Sequence, residues 1–189
     1  MLNTLAGIIA SSGGAVGGDY ESIATVTVGS GGSSSITFSS IPSTYQHLQI
    51  RGITRCSEAS QNQIGLYGTF NSDTASNYSF HGLQGTGAAA EAFYYSGNAL
   101  RFGQSLGNNH TSGIFGAFVV DILDYANTNK YKTIRSLAGD DTNNTGSEVG
   151  LIQFISGNWR STSAVTSINL TASTGFVQYS SFALYGIKG

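Results

Sequence analysis

Gly113–Arg135 reads GIFGAFVVDILDYANTNKYKTIR, and the fold turns on whether this is one helix or two strands. Phe115, Ala117 and Val119 alternate with Phe118, Val120 and Ile122, so an extended chain here carries apolar side chains on both faces. Such a strand belongs in the middle of a sheet. A helix over Asp121–Ala138 is the competing reading, but the Asn-rich break Ala126–Asn129 falls in its middle. That break suits a turn, with Lys130–Arg135 returning as the antiparallel partner.

Working outward, the same period of two recurs. In Glu21–Val28, Ala24, Val26 and Val28 share one face while Thr25 and Thr27 share the other. The turn-forming run Gly29–Ser35 leads to Ile36–Phe38, and Pro42 closes that strand. His47–Arg55 alternates again. Further β-type runs lie at Gln63–Phe70, Tyr78–Leu83, Ala92–Phe102, Gly113–Tyr125, Tyr131–Ala138, Val149–Ser156, Val165–Leu170 and Phe176–Ile187. The expectation is an all-β, antiparallel, jelly-roll-like β-sandwich of about ten strands over residues 20–189, preceded by a flexible N-terminal arm at 1–19.

Composition narrows the function. Of 189 residues, 26 are Gly and only 10% are charged, against roughly 25% in an average soluble domain. Eight Lys and Arg against ten Asp and Glu leave a formal charge of −2, so a nucleic-acid partner held by phosphate neutralisation is not expected. The lone Cys56 forms no intrachain disulfide and belongs to no metal-binding Cys pair, which favours folding in a reducing compartment. Met1–Gly18 (MLNTLAGIIASSGGAVGG) has an apolar patch too short to span a bilayer and no basic residue before it. It reads as an apolar tip on a Gly-Ser leash, with Leu2, Leu5, Ile8 and Ile9 as docking residues, and no membrane partner is expected.

Catalytic signatures are missing. There is no phosphate-binding Gly-Lys loop, no G-x-S-x-G elbow and no H-E-x-x-H, and His47, His81 and His110 sit in different elements. Asp121 and Asp124 are read as lying on opposite faces of one strand, too divergent for an acid–base pair, with Arg51 or Arg135 as a partner for Asp121. Gly139–Glu148 (GDDTNNTGSE) supplies oxygen ligands in Asp140, Asp141, Asn143, Asn144 and Glu148 without calcium-loop spacing, so a turn is preferred and no metal or cofactor is expected. The aromatics are the one ligand-like feature. Tyr94, Tyr95 and Trp159 are candidate ligand-facing rings for stacking on sugars.

Several stretches taken together resemble a known group. ESIATVTV at Glu21–Val28 precedes GSGG and ITFSSIPSTYQHLQ at Ile36–Gln49. DILDYANTNKYKTIR spans Asp121–Arg135, and AVTSI at Ala164–Ile168 and the ending QYSSFALYGIKG at Gln178–Gly189 follow Trp159. This combination resembles small bacteriophage virion structural proteins of the marine and cyanobacterial phage type. The resemblance implies a β-sandwich module on the virion surface, made in the host bacterial cytoplasm, and assigns no catalytic residue. An arm with no room for a fibre shaft favours a capsid decoration or cement protein bound to the major capsid protein or another virion protein, with a homotrimer as an expected assembly. The alternative is a tail-fibre or receptor-binding module that recognises host carbohydrate. A depolymerase would need a carboxylate pair that the strand parity does not offer.

Overall fold

The computed structural model describes residues 18–143 and 150–189. Leu2, Leu5, Ile8 and Ile9 of the expected arm, and Asn144 and Glu148 of the acidic loop, lie outside the described residues. Alternating sequence and frequent Gly and Asn turns give twelve strands, with no helix among the described residues. They are β1 (Tyr20–Thr27), β2 (Ser33–Phe38), β3 (His47–Thr54), β4 (Gln63–Phe70), β5 (Tyr78–Gly85), β6 (Ala90–Gly97), β7 (Leu100–Leu106), β8 (Gly116–Leu123), β9 (Lys132–Asp141), β10 (Gly150–Trp159), β11 (Ile168–Phe176) and β12 (Ser181–Ile187).

The strands form two antiparallel sheets, ordered β1-β12-β3-β8-β9-β10-β5-β6 and β2-β11-β4-β7. The pairing is nested. β1 pairs with β12, β2 with β11, β3 with β8 and β4 with β7, as when one long hairpin is rolled up. These eight strands make a jelly-roll sandwich. The two inserted hairpin pairs, β9–β10 and β5–β6, both extend the larger sheet beyond β8, so eight strands face four.

The expected count of about ten is corrected to twelve. Ala92–Phe102 looked continuous, but the chain turns after Gly97 and β6 and β7 belong to different sheets. The competing helix reading over Asp121–Ala138 does not hold, since the segment is the end of β8, a turn and the start of β9, and β8 lies mid-sheet between β3 and β9 as expected. Asp124 is no longer in the strand: β8 ends at Leu123, and Asp124 turns with φ 47° to receive Lys130.

Inward side chains such as Leu48, Ile50, Phe70, Phe102, Val120, Ile134, Leu170 and Phe182 fill the space between the sheets. Two cations are also buried, and both are satisfied by backbone carbonyls. Lys132 Nζ donates to the carbonyls of Asn127 (2.6 Å), Lys130 (2.9 Å) and Thr162 (3.1 Å), tying the β8–β9 turn to the segment after β10. Arg55 donates to the carbonyls of His110, Thr111 and Ile114 and to the side chain of Asn108, clamping the loop after β7. Burial pushes the pKa of each below its ordinary value.

The sheets come closest where β7 crosses β9. Gly103 has φ +138°, and a Cβ placed on it would stand 2.4 Å from the Cβ of Ala138. Next to it, Ser136 Oγ donates to the Phe102 carbonyl at 2.6 Å. Gly103→Ala combines a backbone conformation hostile to L side chains with overpacking, and should cost about 2–5 kcal/mol in urea unfolding. Lys132→Met removes three hydrogen bonds at once and leaves their carbonyls unpaired, which should cost about 3 kcal/mol in the same measurement.

Candidate functional site

Antiparallel register lines the outward side chains of the larger sheet into rows that cross the strands. One row runs Ile53, Ala117, Gly139, Ile152 and Gly85 from β3 to β5. The next runs Ala183, Arg51, Val119, Leu137, Phe154, Leu83 and Ala92 from β12 to β6. Apart from Arg51 these rows are apolar. They are also bare: Ile53 is 52% exposed, Leu137 46%, Ile152 58%, Phe154 55% and Leu83 61%. Small residues between large ones make a groove of about 700 Å³ bounded by Ile53, Ala117, Leu137, Gly139, Ile152 and Ala183. A second hollow of about 310 Å³ continues it past Phe154 and Leu83 to Ala92.

The third row is polar and engaged with itself. It runs Tyr185, Gln49, Asp121, Arg135, Ser156, His81 and Tyr94. Gln49 is its hub, accepting from Tyr20 Oη (2.7 Å) and Arg51 Nε (2.7 Å) while donating to Asp121 Oδ1 (2.6 Å). The Arg51 guanidinium also lies over the rings of Tyr20 and Tyr185, which stack at 4.7 Å. The partner of Asp121 is therefore the Gln49 amide, with Arg51 one link away. Beside this polar row, no described residue covers the two apolar rows, and contiguous patches of that kind mark interaction sites.

A different cavity lies on the other side of β6. Four strands cannot cover eight, so β5 and β6 project past the edge strand β7, and a cleft of about 620 Å³ opens between them and the smaller sheet. Phe80, Phe93 and Tyr95 line one wall, and Tyr67, Thr69 and Arg101 line the other. Arg101 Nε donates to the Gly103 carbonyl (2.8 Å) and Nη1 to Tyr67 Oη (3.1 Å), with the guanidinium over the Tyr67 ring.

The expected ligand-facing aromatics separate. Tyr94 and Tyr95 are 79% and 50% exposed, but being consecutive they point to opposite faces. Tyr94 stacks on His81 across the outer face, while Tyr95 leans on Phe80 inside the cleft. Trp159 is corrected to a core residue. It is the last residue of β10, 2% exposed, stacked with Tyr78 and edge-on to Phe70.

The indole of Trp159 donates to Asp73 Oδ2 at 2.7 Å. Asp73 also accepts from Asn77 Nδ2 and the Ala75 N–H, both at 2.9 Å, so one carboxylate organises the β4–β5 loop. The buried Tyr78 hydroxyl donates to the Asp73 carbonyl (3.0 Å) and accepts the Phe70 N–H (3.1 Å), and burial pushes its pKa up to about 12.

No protein-family model matches the chain, and no curated protein matches it in sequence. The site is therefore read from its own chemistry. Among the described residues no three His, Cys, Asp or Glu side chains converge on a point where a metal could bind. His47 is engaged locally, its Nδ1 accepting the Asp124 N–H at 2.9 Å. The expected turn over Gly139–Glu148 is corrected at its start: Gly139, Asp140 and Asp141 continue β9, paired with β10, and Asp140 is held by Gln63 with its pKa raised by burial. Sequence parity missed Ile53, Leu83, Leu137, Ile152 and Phe154 as surface residues, although the doubly apolar runs of β8 and β10 carried the signal. It also missed Tyr67 and Arg101, whose meeting depends on the β4–β7 pairing and its bulge.

Hydrogen bonds from Asn77 and Trp159 hold the Asp73 carboxyl below its ordinary pKa. A lowered carboxylate pKa stabilises the fold above the unfolded-state value, near 3.9, and that contribution is lost as pH falls through the folded value. Thermal melts followed by Trp159 fluorescence should show wild type losing stability relative to Asp73→Asn as pH drops below about 4. Above about pH 5 the difference should be constant, with wild type the more stable.

Proposed function

We propose that this chain is a bacteriophage virion structural protein, a jelly-roll module of the capsid surface that decorates or cements the coat. The observation that carries the reading is the two-row apolar band across the outer face of the larger sheet. A face built from Ile53, Val119, Leu137, Ile152, Phe154 and Leu83 gains stability by being covered, and a coat-protein surface would bury it at every lattice position. The resemblance carried by Glu21–Val28, Asp121–Arg135 and Gln178–Gly189 supports the same role. So does a surface with few charges, on which like-charge repulsion between densely packed copies stays small. The apolar tip of Met1–Gly18 would add a second anchor.

Leu137 and Ile152 are half-exposed, so Leu137→Asp with Ile152→Asp should leave the melting temperature within a few degrees of wild type. The double variant should lose at least tenfold in association with purified virions, and deletion of residues 1–17 should weaken it further. Copy number in virions should run to hundreds. A handful of copies, or association untouched by the double variant, would overturn the capsid-surface reading. A trimer in sedimentation that the double variant dissociates would place the face between copies instead of against the coat.

A further inference from the structure

We infer that the cleft beneath β6 is a binding site for an acidic saccharide, with Arg101 receiving the carboxylate and Tyr95 stacking on the sugar ring. This goes beyond the docking role and does not rest on it, since the cleft and the apolar groove are lined by separate residues.

Arg101 is half-buried and fixed on two sides. Its Nε is committed to the Gly103 carbonyl, its Nη1 to the Tyr67 hydroxyl, and its plane lies over the Tyr67 ring at 5.4 Å. Nη2 has no hydrogen-bond partner among the described residues. A guanidinium held this way has already lost its rotamer freedom and presents donors toward the cleft, the arrangement that suits a carboxylate. Among the described residues no acidic side chain lines the cleft to neutralise it.

The opposite wall supplies the stacking surface. The Tyr95 ring lies against the Gly97 backbone so closely that a Cβ on Gly97 would meet it at 2.4 Å, and Phe80 supports it at 5.6 Å between centroids. An exposed ring fixed in orientation offers the C–H face of a pyranose a flat apolar partner at little entropic cost. Asn98 and Thr69 supply rim groups that can exchange hydrogen bonds with hydroxyls. A volume of about 620 Å³ admits one or two sugar rings. A nucleic acid would stack equally well on Tyr95, but it needs a run of cations along its backbone, and here there is one arginine in a chain of net charge −2.

The test titrates the full-length protein, by saturation-transfer NMR and calorimetry, with methyl β-glucuronide, digalacturonate, methyl β-glucoside, acetate and adenosine monophosphate. The expected result is saturable binding of both uronides, at least tenfold tighter than methyl β-glucoside, and none of acetate. Arg101→Gln should remove the acidic preference while leaving the weak neutral binding. Tyr95→Ala should abolish binding of every sugar, with an unchanged melting temperature showing that the fold survives. Asn98→Ala, at the rim, should weaken the uronides several-fold and serves if Tyr95→Ala unfolds. Absence of saturable sugar binding, equal affinity for uronide and glucoside, uronide binding unaffected by Arg101→Gln, or tighter binding of the nucleotide would each overturn the assignment.

Discussion

The contact between Gly103 and Ala138 governs the shape of this sandwich. Two sheets usually stack about 10 Å apart, with side chains from both filling the gap. At Gly103 there is no side chain, and the backbone of β7 drops until it meets Ala138, with Ser136 hydrogen-bonded to the neighbouring carbonyl. The edge of the small sheet is thereby tucked against the middle of the large one. The dip is a bulge in β7: consecutive Leu66 and Tyr67 of β4 face Gly103 and Arg101, with Phe102 as the extra residue. That bulge puts Tyr67 beside Arg101 and orients the guanidinium. Past the tucked edge no described strand of the smaller sheet lies over β6, and the cleft is the space that remains.

The two candidate surfaces differ in kind. The outer groove is mostly apolar and shallow and spans five strands, β12, β3, β8, β9 and β10, with Arg51 at its border committed to the Gln49 network. It suits a broad protein contact. The cleft is narrower and mixes aromatic rings with an arginine, an amide and hydroxyls. It suits a small polar ligand with an apolar face. Neither needs a catalytic group, and both rest on rigid strands rather than on loops.

Much of the fold was legible because strand parity is strict. Phe118, Val120 and Ile122 point inward as the alternation requires, and the turn at Asn127 separates β8 from β9 where the Asn-rich run said it would. The failures have physical causes. In Leu151–Ile155 (LIQFI) the outward Ile152 and Phe154 are as apolar as the inward Leu151 and Ile155, so parity there could not tell core from surface. Following the odd positions through Leu151, Gln153, Ile155 and Gly157 does lead to an inward Trp159, but the polar Gln153 and the Gly-Asn before Trp159 made it look like a loop residue. The division at Gly97 was hidden because both segments are β-forming and only two residues, Asn98 and Ala99, lie between Gly97 and the buried Leu100 that starts β7. Arg101 and Tyr67 are 34 positions apart, and only tertiary pairing brings them together.

The nested strand order also dictates how the protein can fold. β1 finds its partner only in β12, as Tyr20 faces Ile187 across the edge of the sheet. During synthesis the first strand of the sandwich must wait, unpaired, until the last has left the ribosome. Apart from the local hairpins β5–β6, β8–β9 and β9–β10, the other pairings among the described strands close long loops as well, so the search is weighted toward distant contacts and is intrinsically slow. A polypeptide of this order spends its early life with sticky edges exposed, and its sparse lysines offer them little protection. The yield of folded protein would then depend on how many unfinished chains are present at once, and not on final stability alone.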